Sequence, residues 1–305
     1  MKGSQFSSPF FGYDQLHYTK GLEEASNVDP DDIRILCLIL THPANHKKAA
    51  YTVHMTWARR CTYVKFVTTL EDNLLPTVVT NKSGDYDHIW AKTKLGFEVA
   101  YQEYLDKVDW VLKADDDTFV IVENLKLLLN SYDKNSPIWL GCELKVAEVG
   151  PDGLDGYMMG GAGYVLSKEA LRRFYEISLT NRSLCEQEDT GAEDVNMGNC
   201  LRNVGVTRAV STDIFGRYFF LPFFPDSQIG KTGWSAQGSW FLEYLEHKDR
   251  LGLDFPSEYA VSFHYVSPEM MMVLEYLIYS LNHGFGPDDK IGFINISRSA
   301  GLSYN

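Results

Sequence analysis

The stretch Asp109–Asn130, DWVLKADDDTFVIVENLKLLLN, restricts the fold more than any other part of the chain. An apolar run that includes Val111 and Leu112 stops at three consecutive carboxylates, Asp115, Asp116 and Asp117. A second apolar run, Phe119–Val122, follows at once, and Leu125, Leu128 and Leu129 then fall at helical spacing. The three acids therefore stand where a buried strand ends. A DDD triplet on its own reads as a solvated turn that caps the next helix; the apolar flanks argue against that here. Like charges crowded at such a place repel one another unless a cation neutralises them. Carboxylate oxygens are hard ligands, suited to Mg2+, Mn2+ or Ca2+ rather than zinc. The spaced D-x-D-x-D-G loop of a calcium EF-hand is missing.

What precedes the triplet reads as alternating strands and helices. Ile33–Leu40 is a continuous apolar run of strand length. Lys47–Arg60 reads as a helix with Val53 and Trp57 on one face, and Tyr63–Thr68 as a second strand. Val78 and Val79 suggest a short third strand before the turn Ser83-Gly84-Asp85. Asp87–Leu105 reads as a helix with Ile89, Leu95, Val99 and Tyr104 turned inward. This alternation predicts an α/β fold with a parallel sheet. Ligands of such sheets bind beyond the carboxyl ends of the strands, where the triplet lies. The chain has neither a P-loop nor a strand-linked G-x-G-x-x-G.

After the triplet, Ile138–Leu144 reads as a strand holding Cys142, and Gly150–Gly156 as a loop. Gly160, Gly161 and Gly163 let the backbone approach a ligand or another surface closely, or mark a β-bulge. Ser167 is placed to cap a helix over Lys168–Ile177. Glu193 and Asp194 precede a helix over Asn196–Asn203, a position that suits either capping or a general base at a site mouth. Phe219–Phe224 and the Trp234/Trp240 region are aromatic-rich, fit for a core or for stacking on a sugar. Ala260–Val266 reads as a last strand with His264 among apolar residues, where a satisfied core histidine is the usual occupant. Residues 1–32 are predicted to be a stem, 33–280 one catalytic domain and 281–305 a tail.

A net charge of −13, with no Lys/Arg run, excludes a nucleic-acid partner and means that an anionic substrate needs a local cation. No apolar run reaches membrane-span length and no signal-peptide pattern opens the chain. The five cysteines lack C-x-x-C spacing, and their odd number leaves at least one thiol unpaired within the chain. Sequons at Asn81, Asn181 and Asn295 join them in pointing to a secretory compartment.

Four ordered segments, WVLKADDDTFV, YMMGGAGYVLSKEALRRF, GAEDVNMGNCL and AVSFHYV, together with RILCLILTHPANHKKA, resemble the core 1 β1,3-galactosyltransferases of glycosyltransferase family 31. The resemblance runs from about Ile33 to Leu281. It implies a GT-A fold, a Rossmann-like and mostly parallel central sheet with flanking helices. It also implies a UDP-sugar donor, Mn2+, a Golgi type II membrane anchor lying outside this chain, and a homodimer. The implied reaction is inverting transfer of galactose to O3 of GalNAc on Ser/Thr of a glycoprotein. Matched residue by residue, Asp115, Asp117 and His264 correspond to the metal site and Asp194 to the catalytic base. Lys92 corresponds to a nucleotide-contacting lysine, with Thr41, Asp115, Asp116 and Tyr265 beside it. Trp240, Gly161 and Glu193 fall on the acceptor side. Cys37–Cys61 and Cys185–Cys200 match disulfide positions.

The sequence departs from the family pattern at Gly84-Asp85-Tyr86, where an E-G-R segment is usual. It departs at Phe255-Pro256, where a Cys-Cys pair is usual, which leaves Cys142 without its partner. The loop Phe223–Gln228 lacks the usual histidine. These departures imply a divergent paralogue and keep two alternatives open: a sibling transferase with another UDP-sugar or acceptor, and a non-catalytic, chaperone-like relative.

Overall fold

The computed structural model describes residues 29, 32–81, 88–145, 156–229, 241, 244–245 and 252–281. Most of the expected stem, nearly all of the expected tail, the turn at 83–85, the loop at 150–155 and the Trp234/Trp240 region lie outside the described residues.

Among the described residues, twelve strands form three sheets: β1 (Ile35–Leu40), β2 (Tyr63–Thr68), β3 (Thr77–Val79), β4 (Trp110–Asp115), β5 (Phe119–Val120), β6 (Ile138–Gly141), β7 (Glu143–Lys145), β8 (Gly156–Met158), β9 (Tyr164–Ser167), β10 (Thr207–Arg208), β11 (Phe220–Leu221) and β12 (Ser262–Phe263). The main sheet has the order β10-β6-β9-β4-β1-β2-β3. β9 alone runs against its neighbours β4 and β6. The remaining pairs are parallel, as the alternating pattern requires. This is the mostly parallel central sheet with flanking helices that the GT-A resemblance implies.

Side chains alternate across β1 and β4 and so supply two cores. Ile35, Cys37, Ile39, Trp110, Leu112 and Ala114 enter one. Leu36, Leu38 and Val111 enter the other, with Trp90, Phe97 and Tyr164. Lys113 shares the parity of Val111, yet it is only 1% exposed. A second sheet, β11-β12-β5, stands beside the carboxyl end of β4. It brings residues from opposite ends of the chain to the acid turn.

Several elements differ from their sequence patterns. The Lys47–Arg60 segment is not one helix: it runs through a π turn at His46–Ala50, an α-helix at Tyr51–Met55 and a 3-10 turn at Trp57–Arg60. Thr56, at φ −102° and ψ −112°, breaks it, while Val53 and Trp57 stay buried. The helix expected over Asp87–Leu105 spans Ile89–Val99 and continues as a π turn. Its inward face carries Trp90, Thr93, Gly96 and Phe97 rather than Ile89, Leu95 and Val99. Close packing decides this, because a Cβ on Gly96 would meet Val67 at 3.2 Å and Leu38 at 3.3 Å.

Ile138–Leu144 divides at Cys142 into β6 and β7, which pair with β9 and β8 respectively. The apolar run Phe119–Val122 holds the short strand β5, and the expected strand Ala260–Val266 shrinks to β12. A helix over Pro268–Tyr279, capped by Ser267, had no counterpart in the sequence reading. Its Ser-Pro-Glu start was a usable signal.

Both disulfides form, Cys37–Cys61 between β1 and the approach to β2, and Cys185–Cys200 onto the Glu193–Arg202 helix. Cys142 is free and buried. No helix among the described residues is long and apolar enough to cross a membrane.

Candidate active site

β5 and β12 pair antiparallel with Phe119 opposite Phe263, so the residues just before β5 face those just after β12. The Val266 amide donates to the Asp117 carbonyl at 2.8 Å and closes the arrangement. One ligand atom each from Asp115, Asp117 and His264 then lies within 4.8 Å of the others. Asp116 is not part of this group.

His264 is held on several sides. Its Nδ1 lies 3.1 Å from the Pro222 carbonyl oxygen, which requires the proton on that nitrogen. In the neutral ring Nε2 then keeps its lone pair, 3.4 Å from Asp117 Oδ1. The ring stacks on Tyr265 at 3.8 Å between centroids. On the Gly161 side, the backbone lies so near that a Cβ would come within 2.0 Å of Cε1. The Gly161 carbonyl is itself fixed by the Thr118 hydroxyl at 2.9 Å.

Two carboxylates and a neutral imidazole make a donor set suited to Mn2+. The second-layer bond from His264 Nδ1 to a backbone carbonyl is the usual way of aiming a ligating imidazole. Asp115 Oδ1 is buried and meets the Lys113 ammonium at 2.8 Å, an ion pair. These residues fit a divalent ion.

On the β1 side, Asp116 is tied down. Its Oδ2 accepts from the Thr41 hydroxyl at 2.6 Å and from Asn45 Nδ2 at 3.0 Å. Burial pushes the Asp116 carboxyl up to about 6, against those two hydrogen bonds and with the help of its acidic neighbours. Lys92, buried, donates to the Thr41 carbonyl at 3.1 Å. Thr41, Lys92 and Asp116 thus meet in one node at the carboxyl end of β1.

On the other side, the Glu193–Arg202 helix begins at two acids, three residues earlier than its sequence pattern suggested. Asp194 is half-buried; its Oδ2 accepts from the Gly160 amide at 3.1 Å and its Oδ1 from the Val195 amide at 3.0 Å. Glu193 is buried, and its oxygens meet the Tyr164 hydroxyl at 2.6 Å and the Lys113 ammonium at 3.6 Å. Its carboxylate therefore faces inward rather than onto an open acceptor surface. Burial raises the Glu193 pKa, opposed by the attraction of Lys113.

Tyr265 has φ 55°, the one positive value on a non-glycine among the described residues. Such a backbone state costs about 1–3 kcal/mol and marks sites whose surroundings impose it. Tyr265 is half exposed, with Phe223 and Phe224 beside it. Trp240 lies outside the described residues.

The sequence reading passed over Lys113, Tyr164, Asn45 and Pro222. Lys113 alone carried a signal, an ammonium inside an apolar strand two residues before Asp115.

The Fringe-like family profile matches residues 29–221. The chain is 38% identical over 254 residues to glycoprotein-N-acetylgalactosamine 3-beta-galactosyltransferase 1 of Xenopus laevis, a match covering 83% of this chain and 68% of that protein. It is 30% identical over 155 residues to the beta-1,3-glucosyltransferase of Homo sapiens, across 50% of this chain and 30% of that one. Human chondroitin sulfate synthase 3 is 33% identical over 124 residues, across 39% of this chain and 14% of that one. The chain belongs to the Fringe-like family, the glycosyltransferase family 31 grouping that its motifs resemble.

Proposed function

We propose that the chain is an inverting, Mn2+-dependent glycosyltransferase that moves galactose from UDP-galactose to O3 of GalNAc on Ser/Thr of glycoproteins. The observation that carries this reading is the convergence of Asp115 at the end of β4, Asp117 in the turn after it and His264 just after β12 onto one point. The likeness to a 3-beta-galactosyltransferase over 83% of the chain supports the choice of sugar and acceptor.

A divalent ion held by those three side chains would supply positive charge to the departing diphosphate. The chain's own residues do the rest. The Thr41–Lys92–Asp116 node shapes the nucleotide side, and the buried Lys92 adds a cation there. Asp194, positioned by two amide donors at a helix N-terminus, takes the proton of the acceptor hydroxyl. The hydroxyl oxygen bonds to the anomeric carbon as the bond to UDP breaks on the opposite face. A single base suffices and no covalent intermediate forms, so the configuration inverts.

The test is UDP release and product formation with a GalNAc-peptide, with Mn2+ and with EDTA. The donor screen includes UDP-glucose and UDP-N-acetylglucosamine. Mn2+-dependent transfer from UDP-galactose is expected. Release that ignores EDTA, or no transfer from any donor, would sink the proposal. The proposal includes a lumenal Golgi location, in keeping with the two disulfides. On the resemblance alone it also includes a membrane anchor outside this chain and a homodimer, which sedimentation would reveal.

A further inference from the structure

We propose that Lys113 is a positioning residue for the transfer step, tying the metal-facing end of the site to the base at its other end. The inference rests on the transferase reading above. Lys113 lies on the same face of β4 as Asp115 and is 1% exposed. A lone ammonium in such a place is costly unless acids and acceptors surround it. Its Nζ stands 2.8 Å from Asp115 Oδ1 and 3.6 Å from Glu193 Oε2, and donates to the Gly160 carbonyl at 3.1 Å.

Gly160 relays the restraint. Its carbonyl accepts a hydrogen bond from Lys113 while its amide donates to Asp194 Oδ2 at 3.1 Å. A Cβ on Gly160 would strike Glu193 Oε2 at 2.7 Å, so the residue also lies against that carboxylate. Across the sheet, Tyr164 is the register partner of Lys113 and holds the other Glu193 oxygen at 2.6 Å. One buried cation thereby joins β4, the Gly160 turn and the start of the Glu193–Arg202 helix. It sets where Asp194 stands relative to Asp115.

The bland alternative is that Lys113 only balances the charge of buried Glu193. The double variant Lys113→Met with Glu193→Gln separates the two, since it removes both charges and keeps an acceptor for Tyr164. Charge balance alone predicts a folded protein with the parent's kcat. The positioning role predicts a folded protein that binds UDP–Mn2+ with close to the parent affinity and keeps its acceptor KM. Its kcat should fall by about 10²-fold, as a small misplacement of a reacting group does. A parental kcat would overturn the proposal. So would joint loss of UDP–Mn2+ binding and kcat, because Lys113 would then support the metal site alone. If the double variant does not fold, Lys113→Arg keeps the charge and is read by the same measurements. Failure of the transferase reading shows separately, as absence of transfer by the parent protein before any substitution.

Discussion

The backbone of Gly161 packs against the imidazole of His264, with no room for even a methyl group between them. Together with the Pro222 carbonyl on Nδ1, this contact aims Nε2 at Asp117. Gly161→Ala should therefore displace the ring while leaving the sheets intact. Loss of such second-layer support lowers metal affinity by about 10–100-fold. Mn2+ titration of the folded variant, monitored by calorimetry, measures it. An unchanged affinity would remove His264 from the ligand set.

Asp194→Asn tests the base. The amide oxygen of Asn still accepts from the Gly160 amide, so the loop and helix should stay in place. Asn cannot take the proton of an attacking hydroxyl, and kcat should fall by about 10²-fold or more. UDP–Mn2+ binding should be unaffected. Transfer at the parent rate would show that the proton leaves by another route.

The acid turn was readable because an abrupt change from apolar residues to Asp115–Asp117 is a local signal. β1 was readable as an unbroken apolar run, and β2 as a short β-branched and aromatic stretch in spite of Lys65. The inward face of the Ile89–Val99 helix was not, because Lys92, Thr93 and Gly96 are buried there and large apolar residues occur on other faces too. The meeting of Asp117 with His264 is a contact between distant stretches, fixed by the short β5–β12 pairing. Only the family motifs anticipated it. The Lys113–Gly160–Asp194 chain depends on register between β4 and β9, which no local pattern encodes.

Asp109, just before β4, should govern part of the acid stability. It meets Arg34 at 2.8 Å and Lys134 at 2.6 Å. Burial alone would raise its pKa, but the hydrogen bonds from Arg34 and Lys134 outweigh burial and bring the carboxyl down to about 2. A depressed carboxyl stabilises the fold above its unfolded value of 3.8 and loses that contribution as pH falls towards about 2. With the partners partly exposed, the contribution is about 1–2 kcal/mol. Asp109→Asn should cost that amount at neutral pH and flatten the fall in stability between those two values. Denaturant midpoints measured across that range decide it; an unchanged slope would detach Asp109 from the effect.

The cysteines give a chemical count that checks the fold directly. The Cys185–Cys200 bridge closes a loop of sequence separation 15 and fastens the helix that carries Asp194. Its removal by Cys185→Ser with Cys200→Ser should cost about 3 kcal/mol through the freed entropy of the unfolded chain, seen as a lower melting temperature. Cys142 is buried and its thiol pKa is raised by that burial, so it should resist alkylation in the native protein. Denatured without reductant, the protein should take up label at Cys142 alone, and with reductant at all five positions. Peptide mapping that found label on Cys37, Cys61, Cys185 or Cys200 before reduction would contradict the pairing. Label on Cys185 or Cys200 would also leave the Glu193–Arg202 helix without the covalent anchor in its last turn.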